Sequence, residues 1–514
     1  MSRATSGILR IAAVTTMFLV AGRPLVAAPT WAPASPSAAE DMTFLDALTW
    51  GVTPSAFAAL RAEGRDRWLK EQLRLPTGLH LPPDAQAQVD ALTPKAGLFE
   101  RVLALDAQAK AANTELDPEV KKAAQGAYQS ALNGAARDAT AAWVLRALYS
   151  SDQLPERLTW FWFNRFNVHQ GKANLRAMVG DYLDTAIRPH VLGRFRDLLM
   201  ATLRHPAMLR YLDNADNAAG HVNENYAREI MELHTMGVGS GYTQGDVEAL
   251  ARILTGVGID MRPEDPKLRP DHAADFIRDG LFEFNPNRHD YGDKLFLGHT
   301  IRGRGWPEVE EALDFISRDP ATATNVSRAL AAYFTGRRPD DTLTARLAAV
   351  FIRTNGDIAA VMEALVHAPD FTAAQARAFK DPVRYVLSAV RLAYDGRVIR
   401  NTGPVLGWLN RLGEGPFNRS TPDGYPVDAA AWSGPGQLAT RFEIARQIGS
   451  GPAGLFKPAL PDQPDEPAFP LVANALYFST LAGTLSPATR ATLAQAVSQQ
   501  DWNTLYLASP EFMR

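Results

Sequence analysis

The sequence predicts a mainly α-helical fold: one large multi-helix globular domain with a small irregular or hairpin insertion around residues 280–300. Apolar residues recur at helical spacing over residues 41–256, where strand-like alternation is almost absent, and helical spacing returns over residues 326–351. The 514-residue chain is 46% hydrophobic and 21% charged, which suits a folded protein with a large buried core. We therefore expect helices packed on helices.

The N-terminus has the order of a secretory signal peptide. Arg3 and Arg10 precede an apolar run at residues 11–21, and small residues follow at 26–28. The apolar run has 11 residues, too few for a helix that must cross roughly 30 Å of hydrocarbon at about 1.5 Å per residue. These features predict a signal peptide at residues 1–28, no stable membrane anchor, and a periplasmic or secreted protein.

Residues 29–40 (PTWAPASPSAAE) are rich in Pro, Ala and Ser without periodicity, which indicates a linker. Residues 41–514 then form the single large helical domain. One of its clearest helices begins at a capping-box sequence, residues 243–246, and ends at Gly256.

The helical pattern breaks over residues 261–306, which contain several prolines and glycines. Within this stretch, residues 281–284 (LFEF) and 294–298 (KLFLG) predict a small hairpin or an ordered loop. The Gly- and Pro-rich stretches 413–436 and 451–470 predict long surface loops. Loops of that length often carry function.

The charge and cysteine content exclude several classes of function. The 53 Lys and Arg residues nearly balance 56 Asp and Glu residues, so a formal net charge of -3 provides no basic field for nucleic acid. The chain has no cysteine, which excludes disulfides, thiolate nucleophiles and iron–sulfur clusters. No nucleophile elbow, phosphate-binding loop or dinucleotide fingerprint occurs in a strand-to-helix context, and we predict no cofactor.

Residues 223–235 (NENYAREIMELHT) are the main candidate for catalytic chemistry. A helix over this segment places Asn225, Glu229 and Glu232 together on one face. The neighbouring face is its apolar stripe, which consists of Tyr226, Ile230, Leu233 and Gly237. Side chains three or four positions apart are about 5–6 Å apart at Cβ, so the two glutamates are close enough to share a proton, a metal or a substrate. Their repulsion pushes the two pKa values apart and yields one acid and one base.

This pair supports the hypothesis of an extracytoplasmic hydrolase that uses carboxylate acid/base catalysis. Glu229 or Glu232 would be the general acid, and Asp213 or the other glutamate would be the base. His234, at the end of the same helix, would be the orienting group.

Two other interpretations of this helix remain open. Arg228 is placed to pair with both Glu224 and Glu232 at i,i+4, which would make an ion-pair ladder on a solvated helix. A metal site is the other interpretation, although Glu229, Glu232 and His234 lack the spacings of di-iron and zinc-peptidase sites. We predict no metal ligands and keep a metal-dependent enzyme as an alternative function.

Two further stretches contain candidate substrate-binding residues. His289 and Asp290 combine a base with an orienting carboxylate in the irregular segment. Residues 157–167 are aromatic on nearly every face, which favours a helix buried in the core, with sugar stacking as the alternative. The candidate substrate-binding residues are Asn223, Asn225, Arg228, Trp160, Asn164, His289 and Asp290.

The longest distinctive segment is NENYAREIMELHTMGVGSGYTQGDVEALARILTG, at residues 223–256. Together with RLTWFWFNRF at 157–166 and HDYGDK at 289–294, it resembles the bacterial domain-of-unknown-function family 1800. The resemblance spans roughly residues 42–380, and the remainder more loosely. It implies an exported protein whose genes accompany those of a sulfatase-like or alkaline-phosphatase-like family.

The chain departs from this family at one place. Members commonly read Phe-Trp-His-Asn-His-Phe where this chain has FWFNRF at residues 161–166, so a mechanism based on those two histidines would not apply here. The leading hypothesis is a hydrolase that acts on an envelope polymer or glycan. The alternatives are a non-catalytic binding or assembly factor for an exported phosphatase-like partner, and a metal-dependent enzyme.

Overall fold

The computed structural model describes residues 37–514 except 76, 77, 79, 370, 372–377 and 459–465. Helices dominate the described residues, which confirms the predicted mainly α fold. The predicted signal peptide at residues 1–28 lies outside the described residues, as does most of the linker. The first helix begins at Ala38, so the last three residues assigned to the linker are helical. Ala38–Arg514 forms one compact unit.

The N-terminal part of this unit is a run of helices joined by short loops. They are α1 (Ala38–Leu48), α2 (Pro54–Glu63), α3 (Arg65–Gln72), α4 (Pro83–Leu92), α5 (Leu98–Thr114), α6 (Pro118–Tyr149) and α7 (Gln153–Arg165). At the start of α6, the Asp117 carboxylate accepts hydrogen bonds from the backbone N–H groups of Glu119 and Val120. This cap satisfies two donors that the first turn of a helix leaves unpaired.

Helix α7 is buried along almost its whole length. Leu154, Leu158 and Trp162 have no exposed surface, and Phe163 is 1% exposed. A helix with aromatic and apolar residues on nearly every face is stable only inside a core, which explains its aromatic sequence. The burial confirms the interpretation of this segment as a core helix, and it fixes the position of the polar residues at its C-terminal end.

The middle of the chain has shorter helices and wider π-helical turns. The ordinary helices are α8 (Val179–Asp181), α9 (Phe195–Arg204), α10 (Pro206–Tyr211), α11 (Asn225–Glu229) and α12 (Gln244–Ile253), and π-helical turns follow α8 at Tyr182–Ile187 and α11 at Ile230–His234. Helix α12 has the predicted capping box. Thr243 Oγ1 accepts from the N–H of Asp246 at 3.2 Å, and the Asp246 carboxylate accepts from the N–H of Thr243 at 2.8 Å.

The predicted insertion contains two small antiparallel sheets. Strands β1 (Val257–Ile259), β2 (Ile277–Asp279) and β3 (Phe282–Phe284) form one in the order β1-β3-β2, and β4 (Lys294–Phe296) and β5 (His299–Ile301) form a hairpin. The two segments for which we predicted a small hairpin or an ordered loop, 281–284 and 294–298, belong to different sheets. Strand β3 is buried at every position, which suits its central place between two partners.

Helices continue from the insertion to the C-terminus. They are α13 (Trp306–Arg318), α14 (Pro320–Thr335), α15 (Asp341–Arg353), α16 (Ile358–Val366), α17 (Pro382–Ala393), α18 (Gly403–Arg411), α19 (Pro435–Ser450), α20 (Ala482–Thr484), α21 (Pro487–Leu493) and α22 (Gln499–Leu507). Residues 412–428, between α18 and α19, form a long loop as predicted, whereas the second predicted loop falls partly outside the described residues. Every helix in the described part of the chain is too short or too polar to cross a membrane.

Candidate active site

The glutamate-bearing helix contains a π-helical turn where the sequence predicts a regular helix. Helix α11 ends at Glu229, and the N–H of Thr235 donates to the carbonyl oxygen five residues earlier at 2.9 Å. This wider hydrogen-bonding pattern rotates the following side chains relative to the predicted apolar stripe. His234 is consequently buried, and Leu233, which we expected on the stripe, is only partly buried. Glu232 lies inside the π-helical turn.

A cavity of about 510 Å³ opens beside this turn. Its walls come from the π-helical turn, the C-terminal end of α7, α14 and residues 423–427 of the long loop. The volume falls within the range of about 300–1,000 Å³ that is typical of small-molecule sites. The polar lining groups are Asn164, Arg165, Glu232, Asn325 and Asp423, and Phe161 and Tyr425 supply aromatic surface.

Residues 415–427 of the loop are held against α7 by side-chain hydrogen bonds. Asn164 Nδ2 donates to the carbonyl oxygen of Tyr425 at 2.9 Å, and Asn164 Oδ1 accepts from the N–H of Tyr425 at 2.6 Å. Asn167 Nδ2 donates to two more carbonyl oxygens of the loop, at 3.0 and 2.8 Å. This anchoring places Asp423 at the cavity.

Asn164 lines the cavity and acts as a positioning residue, because both polar atoms of its side chain are hydrogen-bonded to the Tyr425 backbone. The neighbouring Gly424 has a φ of +74°. A Cβ atom at position 424 would collide with the backbone carbonyl oxygen of Asn164 and lie 2.7 Å from its Oδ1. The close approach of the loop to α7 therefore requires glycine.

Glu232 lines the cavity and also belongs to the ion-pair ladder. Arg228 Nη1 lies 3.4 Å from Glu232 Oε1, and Arg228 Nη2 lies 3.0 Å from Glu224 Oε2. The Glu232 side chain nevertheless keeps 27% of its surface exposed. The pKa of the nearby Tyr242 is raised by burial and by the negative charge of Glu232. The predicted ion-pair ladder is therefore present, with Arg228 between Glu224 and Glu232, and Glu232 also lines the cavity.

Glu229 differs from Glu232 in two ways: its carboxyl group has no partner, and it lies next to the cavity residue Glu232 without itself being one of the lining residues. Within the described residues it makes no hydrogen bond and no ion pair, although the side chain is partly buried. Burial raises the pKa of Glu229 above its ordinary value, and the charges of Glu232 and Asp423 raise it further, against a smaller opposing effect of Arg228. Glu229 therefore holds its proton to a higher pH than an ordinary glutamate does.

Asp423 is the third carboxylate at this site. Both of its oxygens lie 3.0 Å from Arg419 Nη2, and the Thr421 hydroxyl donates a further hydrogen bond to Oδ1. These contacts fix the position of the carboxylate at the cavity. Asp423 thus supplies a negative charge that acts on Glu229.

Asp213, Asn223 and Asn225 stabilise the loop before α11, and none of the three lines the cavity. Asp213 has a left-handed backbone with a φ of +61° and pairs with Lys172 at 2.6 Å. Asn223 Nδ2 donates to the carbonyl oxygen of Asp213 at 3.3 Å, and Asn225 Nδ2 donates to that of Leu212 at 3.1 Å. The structure therefore does not place Asp213 as the base, and it uses the two asparagines to hold backbone.

His234 does not orient either glutamate, so that prediction is wrong. The side chain has no exposed surface, and neither ring nitrogen has a hydrogen-bond partner within the described residues. Its ring packs against Phe166 with a centroid distance of 4.8 Å, and its backbone carbonyl accepts from Arg165 Nε at 3.1 Å. Burial, with a smaller effect of the Arg165 charge, lowers the pKa of His234 to about 3.

His289 and Asp290 have structural roles, contrary to their prediction as substrate-binding residues. The His289 imidazole is completely buried, with Nδ1 2.7 Å from the carbonyl oxygen of Thr255 and Nε2 3.0 Å from Glu308 Oε1. Asp290 accepts two hydrogen bonds from Arg252, at 2.7 and 3.2 Å. Neither side chain reaches the cavity lining.

Trp160 is not available for sugar stacking. It is 2% exposed, and its ring lies 4.8 Å from that of Trp143 and is stacked at 6.0 Å on Phe163. The prediction that Trp160 binds substrate is therefore wrong, and its aromatic surface is used within the core.

No three His, Asp or Glu side chains in the described part of the chain are grouped so that they could hold a metal ion. The described residues therefore offer no set of metal ligands to support the hypothesis of a metal-dependent enzyme.

Sequence reasoning did not identify Asp423 or Tyr425 as residues of this site. Both lie in the Gly- and Pro-rich stretch 413–436, which we expected to be a long loop of the kind that often carries function. The contact of Tyr425 with Asn164 joins positions 261 residues apart, and no local spacing encodes it. A loop rich in glycine and proline was the only available signal.

A family model described as "Protein of unknown function (DUF1800)" matches residues 43–514, nearly the whole chain. The matched range includes every residue that lines the cavity. No curated protein and no solved structure matches the chain.

Proposed function

The chain belongs to the DUF1800 family, and we propose that the cavity beside the π-helical turn is the active site of a hydrolase that acts on a glycan or another envelope polymer. The observation that carries the proposal is the arrangement of two carboxyl groups in different states. Glu229 is partly buried without a partner, and Glu232, one turn later, is paired with Arg228 and faces the cavity. Such a difference in environment is how one pair of carboxyl groups supplies both an acid and a base.

Glu229 is assigned as the general acid. Its lack of a cationic partner and its proximity to two other carboxylates favour the protonated form. In hydrolysis, Glu229 would donate its proton to the leaving oxygen as the bond between carbon and that oxygen breaks.

Glu232 is assigned as the general base, the role that was open to either glutamate or to Asp213. The Glu232 carboxylate pairs with the Arg228 guanidinium, keeps part of its surface exposed and lines the cavity. Glu232 would accept a proton from the attacking water as the new carbon–oxygen bond forms.

The rest of the cavity lining suits a hydroxyl-rich ligand. Phe161 and Tyr425 supply apolar faces on which a sugar ring can pack, and Asn325 supplies an amide. Asn325 Nδ2 is occupied by the Thr235 carbonyl oxygen at 2.7 Å, whereas its Oδ1 has no partner within the described residues and is available to accept from a ligand hydroxyl.

Export to the periplasm or beyond the cell is part of this proposal, because an envelope polymer is accessible only there. The basic residues Arg3 and Arg10 and the apolar run at 11–21 support it. Cell fractionation of the full chain tests it: we expect the protein, shortened at its N-terminus, outside the cytoplasm. Full-length protein confined to the cytoplasm would contradict it.

The catalytic proposal is tested by screening purified protein against cell-wall and exopolysaccharide substrates. We expect the wild type to release reducing ends from at least one substrate, and Glu229→Gln to lower the rate by about 100-fold or more, the usual effect of losing a general acid or base. Glu248→Gln is the matched control, since Glu248 is an exposed glutamate on the next helix. Equal rates for wild type and Glu229→Gln would overturn the proposal.

Binding without catalysis is the second candidate function, for example as an assembly factor for an exported phosphatase-like partner. It is favoured by apolar residues at the cavity that remain open to solvent, since Val238 is 77% and Val427 is 42% exposed. This second function would be favoured if Glu229→Gln binds a ligand as well as the wild type does and neither protein turns over any substrate.

A further inference from the structure

A second cavity, of about 500 Å³, lies between α1, α17 and the C-terminal helices, and it shares no lining residue with the candidate active site. We propose that this second cavity binds an amphipathic organic carboxylate, such as a medium-chain fatty acid, whose charged group is held by Lys380 and Arg384. This inference is independent of the proposed hydrolase function.

Two buried cations share one carboxylate in this cavity. The side chains of Lys380 and Arg384 are only 5% and 7% exposed. Lys380 Nζ lies 3.2 Å from Asp46 Oδ1, and Arg384 Nη2 lies 3.1 Å from both Asp46 Oδ2 and the Asp46 carbonyl oxygen. Burying a cation is costly unless it is paired, so one of the two positive charges lacks a full counter-charge.

The other acidic groups nearby do not supply the missing charge. Glu511 lines the cavity, but its carboxylate accepts from the N–H of Ser486 at 2.9 Å and the hydroxyl of Thr489 at 2.7 Å. Asp381 caps α17 by accepting from the backbone N–H of Arg384 at 2.7 Å. Within the described residues, neither carboxylate lies within ion-pair distance of Lys380 or Arg384.

A third cation, Arg441, lies behind the cavity, and the carboxyl groups of Asp381 and Glu414 offset part of its charge. Arg441 has no exposed surface, and its Nη2 donates to the carbonyl oxygen of Lys380 at 2.7 Å. Its Nε and Nη1 are buried and have no hydrogen-bond partner within the described residues. The positive charge behind the cavity therefore favours an anion in it.

The remaining walls combine hydroxyl-bearing side chains with a large apolar surface, which favours an anion that carries a hydrocarbon part. Met42, Val52, Leu392 and Leu481 line the cavity, and the Phe512 ring lies 4.5 Å from Lys380 Nζ. An inorganic ion would leave this apolar surface in contact with water, whereas an alkyl chain would cover it. The arrangement of a cationic end and an apolar wall therefore fits a fatty carboxylate.

Calorimetric titration of the purified protein with decanoate tests the proposal. We expect saturable binding to the wild type, at least tenfold weaker binding to Lys380→Met, and unchanged binding to Arg346→Met, a control that removes an exposed arginine on α15. Decyl alcohol and inorganic phosphate, which lack the charge and the chain respectively, should each bind at least tenfold more weakly than decanoate. Equal affinity of decyl alcohol, or no decanoate binding to folded wild type, would overturn the proposal.

Asp46→Asn separates ligand binding from a structural effect. Removing the carboxylate that competes for both cations should tighten decanoate binding several-fold, although it removes native ion pairs. If Asp46, Lys380 and Arg384 only stabilise the fold, decanoate should bind more weakly to both Asp46→Asn and Lys380→Met, and that result would contradict the proposal. If Asp46→Asn does not fold, which circular dichroism shows, the comparison of Lys380→Met with wild type decides.

Discussion

Asn164 and Tyr425 are joined by two hydrogen bonds that link the end of α7 to the long loop before α19. The Asn164 amide donates to the Tyr425 carbonyl oxygen at 2.9 Å and accepts from the Tyr425 N–H at 2.6 Å. A side-chain amide thus replaces a backbone partner for both polar groups of one residue. Because α7 is buried, this pair fixes the loop that brings Asp423 to the cavity.

Replacing Asn164 by Ala should loosen this loop. The substitution leaves two backbone groups of Tyr425 unpaired, and we expect it to lower the free energy of unfolding by about 1–3 kcal/mol. Urea denaturation measures the loss. Ser420→Ala, which removes an exposed hydroxyl group of the same loop, is the control and should change stability by no more than about 0.5 kcal/mol. Equal stabilities of the two variants would show that the hydrogen bonds between Asn164 and Tyr425 do not stabilise the protein.

Gly424→Ala should displace the loop through a steric collision. The new Cβ would collide with the Asn164 carbonyl oxygen, and the positive φ of 74° adds backbone strain. Gly413→Ala is the matched control, because Gly413 has a φ of +79° and nothing within 4 Å of a built Cβ. We expect the Gly424 variant to lose more thermal stability and to be cut faster by protease within residues 415–427. A smaller loss than in Gly413→Ala would contradict the collision.

His234 should make the protein sensitive to acid. Its pKa falls from 6.5 to about 3 in the folded state, mainly through burial, so the unfolded chain binds the proton more readily. The stability from neutral His234 is complete above pH 6.5 and is lost as the pH falls towards 3. As the pH falls from 6.5 towards 3, the melting temperature of His234→Phe should therefore decrease less than that of the wild type. His367→Phe, at an exposed site, should follow the wild type, and identical pH profiles for all three would refute the assignment.

The buried network around Glu308 should stabilise the insertion. Lys294 Nζ lies 2.5 Å from Glu308 Oε2, and both side chains are completely buried. Although burial opposes it, hydrogen bonds from His289 and Lys294 lower the pKa of Glu308. Lys294→Met leaves a buried carboxylate without this partner, and we expect a loss of about 3–5 kcal/mol. Lys267→Met, which removes an exposed lysine near the insertion, should have little effect. A comparably small loss in Lys294→Met would contradict the role of the network.

The sequence was most informative where structure is set locally. The α12 capping box depends on residues three positions apart, and both of its hydrogen bonds are present. The aromatic sequence of α7 likewise indicated a buried helix. Both features follow from short-range patterns and hydrophobicity.

The parts that sequence reasoning missed depend on distant contacts. The π-helical turn at Ile230–His234 changes which side chains are buried, and helical spacing does not reveal it. The same rotation explains why His234 was assigned to the site and why Leu233 was assigned to the core. His289 was predicted to bind substrate together with the neighbouring Asp290, but its two ring nitrogens contact Thr255 and Glu308.

The most direct test of the account is the titration of the Glu229 side-chain carboxyl group. Carbon-13 NMR of protein labelled at the glutamate δ-carbon, assigned by the signal lost in Glu229→Gln, would report its pKa. We predict a midpoint above the ordinary value of 4.5, and a lower midpoint in Glu232→Gln, because that variant removes a neighbouring negative charge. A midpoint at or below 4.5 in the wild type would contradict the assignment of Glu229 as the proton donor.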